Sequence, residues 1–132
     1  MEPFLPHILI AEREFLIALD AEYLIKAALD CRITLVRPDQ LDQWDETALA
    51  DVDLCLFTVP FDTARMRPRI ERLMEAQVPL LFTMVADIHL LGVEGLEVIP
   101  VVRKPYDGET LVSLVRGQLR QRPQPSGRID QN

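Results

Sequence analysis

Glu12-Arg13, Thr58, Met84 and Lys104-Pro105 each follow a short apolar run, and their types and spacing are what bear on chemistry in this chain. A lysine ammonium can contact a phosphoryl group or another small anion, and a Lys-Pro step after a strand fits a phosphoryl-handling site. A divalent cation would need hard oxygen ligands, and Glu12 is the one carboxylate among these positions. Thr58 offers a neutral hydroxyl, and Arg13 a permanent positive charge that opposes a cation. Other chemistries lack their residues. His7, His89, Cys31 and Cys55 do not fall at metal-ligand spacing. The turn after the first run holds no glycine, so a glycine-rich phosphate loop is absent there.

Five apolar runs position these residues: His7–Ala11, Arg32–Val36, Asp53–Phe57, Leu80–Thr83 and Val98–Val102. Continuous apolar runs of this length read as strands buried on both faces. Helical patterns separate them. The stretch 14–29 puts Ile17, Ala21, Leu24, Ile25 and Ala28 at three- and four-residue spacing, the mark of an inward face. A polar segment from Asp39 to Ala50 reads as a short helix with Trp44 as filler or lid. Asp62 or Thr63 could cap a third helix carrying Met66, Ile70, Leu73 and Met74, although Pro68 moves its start toward Arg67. The stretch 87–92 is a short helix at most. Pro100 puts the fifth strand at a sheet edge or a bulge. Asp107 caps a last helix running to about Arg120, with Leu111, Leu114, Val115 and Leu119 inward. Repeated strand–helix alternation predicts an α/β fold: a doubly wound five-stranded parallel sheet, order 2-1-3-4-5, with helices on both faces. The residues after the strands would then share the crevice at their carboxyl ends.

Composition bounds the partners. The chain has 132 residues and reads as one domain over 1–121, followed by a disordered tail over 122–132 rich in Pro and polar residues. A net charge of −7 argues against nonspecific nucleic-acid binding, which needs a basic surface. No apolar run reaches membrane-spanning length, and the first residues lack the pattern of a signal peptide. The expectation is a soluble cytoplasmic protein with reduced cysteines, bound to neither nucleic acid nor membrane.

Particular pieces carry a family resemblance: Ile8-Leu-Ile-Ala-Glu-Arg-Glu, Leu16-Ile-Ala-Leu-Asp, Asp53-Leu-Cys-Leu-Phe-Thr, Pro79-Leu-Leu-Phe and Arg103-Lys-Pro-Tyr-Asp-Gly-Glu-Thr-Leu. In this order and spacing, over about Pro6 to Gln121, the chain resembles the receiver domains of bacterial response regulators, of flavodoxin- or CheY-like fold. The resemblance implies an acidic pair after the first strand that holds magnesium. It further implies an acceptor aspartate after the third strand, a Ser or Thr after the fourth, a lysine after the fifth, and a switch aromatic near the end of the fifth. This chain keeps Glu12 but has Arg13 as its neighbour. Thr58 falls at the acceptor position. Met84 falls at the Ser/Thr position, or Thr83 if the register shifts by one. Lys104 is kept, and Val102 stands near the aromatic position.

These departures read as a degenerate pseudo-receiver. Magnesium binding is expected to be lost or weak, no cofactor is expected, and no enzyme activity. Lys104 is expected to pair with Glu12 across the crevice, Arg13 turning outward or joining the pair. Two alternatives stay open there: a small-anion site built from Lys104, Arg13 and Thr58, and phosphorylation of Thr58 by a kinase. A phospho-accepting regulator with an atypical acceptor would have to use Asp53 or Asp62. Phe15, Leu19 and Tyr23 form a second helical stripe, available to a partner or packed against the last helix. The expected function is that of a stand-alone module acting by phosphorylation-independent protein contacts, with a histidine kinase or response regulator as partner and homodimerisation open. Arg116, Arg120 and Arg122, near Lys104, read as a solvated basic edge.

Overall fold

The computed structural model describes residues 5–59, 65–84, 95–96 and 98–121. Its sheet has five parallel strands in the order β2-β1-β3-β4-β5. β1 (His7–Ala11) and β2 (Arg32–Val36) run over the stretches that the apolar pattern marked, and β4 spans Leu80–Met84. β3 runs from Leu54 to Thr58, one residue later than expected. Asp53 is instead fixed below the strand, where its buried carboxylate accepts the His7 backbone N–H at 2.9 Å. β5 shrinks to Val101–Arg103 at the sheet edge, and Val98, taken as its first residue, is 88% exposed in a turn.

The pleat sorts side chains onto two faces. Ile8, Ile10, Leu54, Leu56, Leu81 and Val102 meet Ala18, Ala21 and Ile25 of α1 (Phe15–Lys26) and Leu111 and Val115 of α4 (Gly108–Gln118). Leu9, Cys55, Phe57, Leu80 and Phe82 pack on the opposite face against Leu49 of α2 (Glu46–Ala50) and Ile70 and Leu73 of α3 (Arg67–Glu75). On α1 the inward stripe is narrower than predicted: Ala28 is exposed beyond the helix, and Ile17 and Leu24 are half-buried. Met74 of α3 also faces outward.

The polar segment after β2 divides in two. A 3-10 helix (Pro38–Gln43) precedes α2, because the Asp45 carboxylate accepts the Ala48 N–H at 2.8 Å and starts a new helix there. Asp107 caps α4 as predicted, accepting from Thr110 N–H at 3.0 Å. α3 ends in a Schellman turn: Val78 N–H donates to Leu73 C=O at 3.0 Å and Gln77 N–H to Met74 C=O at 2.9 Å. The residue in the left-handed conformation there is Gln77, at φ 61°.

The end of the sheet opposite the crevice is fastened by polar side chains. The His7 ring reaches Asp51 Oδ2 at 3.2 Å through Nδ1 and Thr34 Oγ1 at 2.7 Å through Nε2. Asp51 only accepts, so Nδ1 carries the proton and, in the neutral ring, Thr34 donates to Nε2. Arg120 corrects the expected solvated edge: its guanidinium donates to the Ala50 carbonyl at 3.1 Å and to the Gln77 carbonyl, and its backbone N–H to Asp53 C=O at 2.9 Å. Arg116 likewise donates to the Ala28 carbonyl at 3.1 Å. Asp62, Thr63, His89, Arg122, the stretch 87–92 and the tail over 122–132 lie outside the described residues.

Candidate functional site

Strand parity aims the site residues. Glu12 continues Ile8 and Ile10, Thr58 continues Leu54 and Leu56, Thr83 continues Leu81, and Lys104 continues Val102. All four therefore leave the carboxyl ends of their strands on the α1/α4 face, where they meet. Backbone bonds carry the ladders past the strand ends: Glu12 N–H to Val36 C=O at 2.9 Å, Val59 N–H to Thr83 C=O at 2.8 Å, and Lys104 N–H to Met84 C=O at 2.7 Å.

The centre is a buried ion pair. Lys104 Nζ lies 2.7 Å from Glu12 Oε1, with the two side chains 4% and 3% exposed. Thr58 Oγ1 donates to the same carboxylate oxygen at 2.6 Å, and Glu14 N–H donates to Oε2 at 3.1 Å. Burial pushes the Glu12 carboxyl up. The Lys104 ammonium, the Thr58 hydroxyl and the Glu14 N–H together outweigh it and hold the group below the usual carboxylate range.

A chain of hydroxyls extends from this pair. Thr58 Oγ1 is 3.1 Å from Thr83 Oγ1. Because the Thr58 proton is given to Glu12, Thr83 is the donor in that contact. The Tyr106 side chain stands beside Thr83 at this end of the chain. Burial pushes the Tyr106 phenol up and keeps it protonated. The sequence Thr83, Thr58, Glu12 thus runs donor to acceptor and ends on a carboxylate that Lys104 neutralises.

This placement resolves the positions left open in the sequence. Thr83, not Met84, enters the network: Met84 is buried but has the parity of Leu80 and Phe82, which belong to the other face. Arg13 is exposed and does not join the pair. The combination of Lys104, Arg13 and Thr58 as one anion site is not assembled, since Lys104 and Thr58 both direct polar groups onto Glu12 while Arg13 points to solvent. Asp53 sits at the opposite end of the sheet from this crevice. Tyr106 was missed. Its signal was present in Lys104-Pro105-Tyr106, but no local pattern announces that a residue past the strand folds back to Thr83. The Lys104-Pro105 peptide is cis. Among the described residues no group of His, Cys, Asp and Glu side chains is arranged to hold a metal ion.

α1 carries the remaining candidates. Phe15 and Tyr23 are 65% and 73% exposed and Leu19 is half-buried, so the stripe is a surface feature and is not packed under α4. Leu16, which the spacing did not single out, is 78% exposed beside it.

The sheet order, the two helical layers and the crevice define the fold of response-regulator receiver domains. Solved structures share it over most of their length. A pilus assembly-related protein from Burkholderia pseudomallei superposes with a TM-score of 0.70 at 22% identity, covering 89% of this chain and 94% of that one. A response regulator from Thermotoga maritima gives 0.66 at 13% identity, covering 86% and 97%. The response regulatory domain of mrkE from Klebsiella pneumoniae gives 0.64 at 18% identity, covering 85% and 93%. No protein-family model and no curated protein matches the chain. Among the described residues no helix is long and apolar enough to cross a membrane.

Proposed function

We propose that this protein is a pseudo-receiver: a signalling module of receiver fold that acts through protein contacts and not through an aspartyl phosphate. The observation that carries this reading is the Glu12–Lys104 pair closed by Thr58. A phospho-accepting crevice needs a carboxylate to take the phosphoryl group and anionic oxygens for the metal that neutralises it. Here the strand-end hydroxyl of Thr58 supplies neither. Among the described residues the carboxylate at this crevice is Glu12, and it is already neutralised by Lys104. A cation entering the crevice would have to displace that ammonium. The module is accordingly proposed to carry no enzyme activity and no magnesium dependence.

The partner contact is proposed on α1, through Phe15, Leu19 and Tyr23, where large apolar side chains are exposed on a helix whose opposite face is core. A histidine kinase or another response regulator is the partner class that the fold suggests. Nucleic acid is disfavoured by the charge of −7.

Beryllofluoride with magnesium, followed by amide NMR, tests the closed crevice. The expected result is no saturable change at Thr58, Thr83, Met84 or Lys104, and saturable shifts at these positions would overturn the reading. The docking face is tested by affinity capture with the native protein and the Phe15/Leu19/Tyr23 triple alanine variant. Binding of the captured partner should weaken by at least about tenfold, as expected when apolar anchors are truncated. Equal binding by both proteins would reject the α1 contact.

A further inference from the structure

We infer that a cavity beside the ion pair, between the carboxyl ends of β1 and β2, binds a small amphipathic anion: a carboxylate or phosphate head on a compact apolar body. The cavity has a volume of about 230 Å³ and is open to solvent. At roughly 30 Å³ per water it has room for about eight waters, and so for a ligand of a similar number of non-hydrogen atoms. Phe15 and Ala18 from α1 and Leu35 and Val36 from β2 supply apolar walls. Arg13 and Arg37 stand on its border as cations, and Gln40 adds an amide.

The charges at this cavity are poorly matched within the protein. Among the described residues Arg13 has no ion-pair partner. Among the described residues Arg37 pairs only with Asp39, at 3.4 Å, with both side chains about 60% exposed, and an exposed pair of that kind is weak. The acid lining the cavity, Glu12, is already neutralised by Lys104. Gln40 Oε1 accepts the Arg37 backbone N–H at 2.7 Å, so the amide NH2 is the group left to donate. Two guanidinium forks and one amide donor suit a carboxylate or phosphate, which arginine binds bidentately. The apolar walls select against a bare inorganic ion, because it would leave Phe15 and Leu35 uncovered.

The site borders the crevice network at Glu12 but uses none of its hydroxyls, and it stands whether or not the docking reading holds. One consequence does rest on that reading. Phe15 belongs both to the cavity wall and to the exposed stripe, so an occupied cavity alters one anchor of the stripe.

The test uses the full chain and four probes in amide NMR titrations: benzoate, phenyl phosphate, inorganic phosphate and benzyl alcohol. Benzoate, phenyl phosphate or both should give saturable shifts at Arg13, Phe15, Val36 and Gln40, at least tenfold tighter than inorganic phosphate or benzyl alcohol. Which of the two binds more tightly identifies the head group. The Arg13→Gln/Arg37→Gln variant changes only exposed side chains, and it should keep the native spectrum while losing the response. A flat response to both aromatic anions would overturn the proposal. So would binding that survives the double substitution, or inorganic phosphate or benzyl alcohol binding as tightly as the aromatic anions.

Discussion

Lys104→Met keeps the length and most of the volume of the side chain but removes its charge, stranding Glu12 in the interior. The pair is 4% and 3% exposed at the side chains, so solvent screens it little. Removing one partner of a buried pair costs about 3–5 kcal/mol, mostly as the penalty of the remaining charge. For a domain of this size that is a fall in Tm of roughly 10–20 °C. The pH dependence should also invert. In the native protein Glu12 titrates below its unfolded value. Its stabilisation is therefore fully present above that unfolded value and is lost as the pH falls through the folded one. Without Lys104, burial, the largest single influence on Glu12, is opposed only by the hydrogen bonds from Thr58 and Glu14, and the folded value is expected to rise. Stability is then greatest below the unfolded value and declines as the pH rises through the folded one. Urea denaturation of Lys104→Met, Glu12→Gln and the double variant from pH 4 to 8 reads both effects. The double variant should recover more than half of the Lys104→Met loss at pH 7, since no uncompensated charge is left. A Lys104→Met loss under about 1 kcal/mol, or a double variant no better than the sum of the singles, would refute the coupling.

Thr58→Val leaves Thr83 without its acceptor and takes one donor from Glu12; urea denaturation should show a loss of about 1–2 kcal/mol. Because the hydroxyl is one of the groups lowering the Glu12 pKa, the part of the loss that runs through that lowering should be full at pH 7 and shrink as the pH falls toward the acid range. Gln77→Gly removes a side chain from the left-handed C-terminal turn of α3 and should stabilise by up to about 1 kcal/mol, net of the added freedom of the unfolded chain. A thermal melt showing a lower Tm for that variant would contradict the assignment of strain there. Burial pushes the thiols of both cysteines up, Cys55 being wholly buried and Cys31 half-buried. At pH 8 a thiol reagent should therefore label Cys31 slowly and Cys55 only on unfolding, with mass spectrometry of the labelled peptides as the readout.

The sequence by itself determined the architecture. Continuous apolar runs separated by helical periodicity dictated a parallel sheet, and short right-handed connections left the 2-1-3-4-5 order as the expected one. The bounds of β1 and β2 and the Asp107 cap followed because each is a local signal, written within a few residues. Glu12 and Lys104 could be matched as an opposite-charge pair because both stand directly after strands that share one crevice. Tertiary structure decided what no local pattern holds. Whether Thr83 or Met84 enters the site depends on the pleat of β4 and on which face α1 and α4 cover. The return of Tyr106 to Thr83, the exclusion of Arg13 from the pair, and the diversion of Asp53 to His7 each depend on groups far apart in sequence. Arg37 meets Arg13 at one cavity only because β2 lies beside β1. Polar groups buried by folding must find partners wherever the packed elements put them, and that pairing is settled in three dimensions.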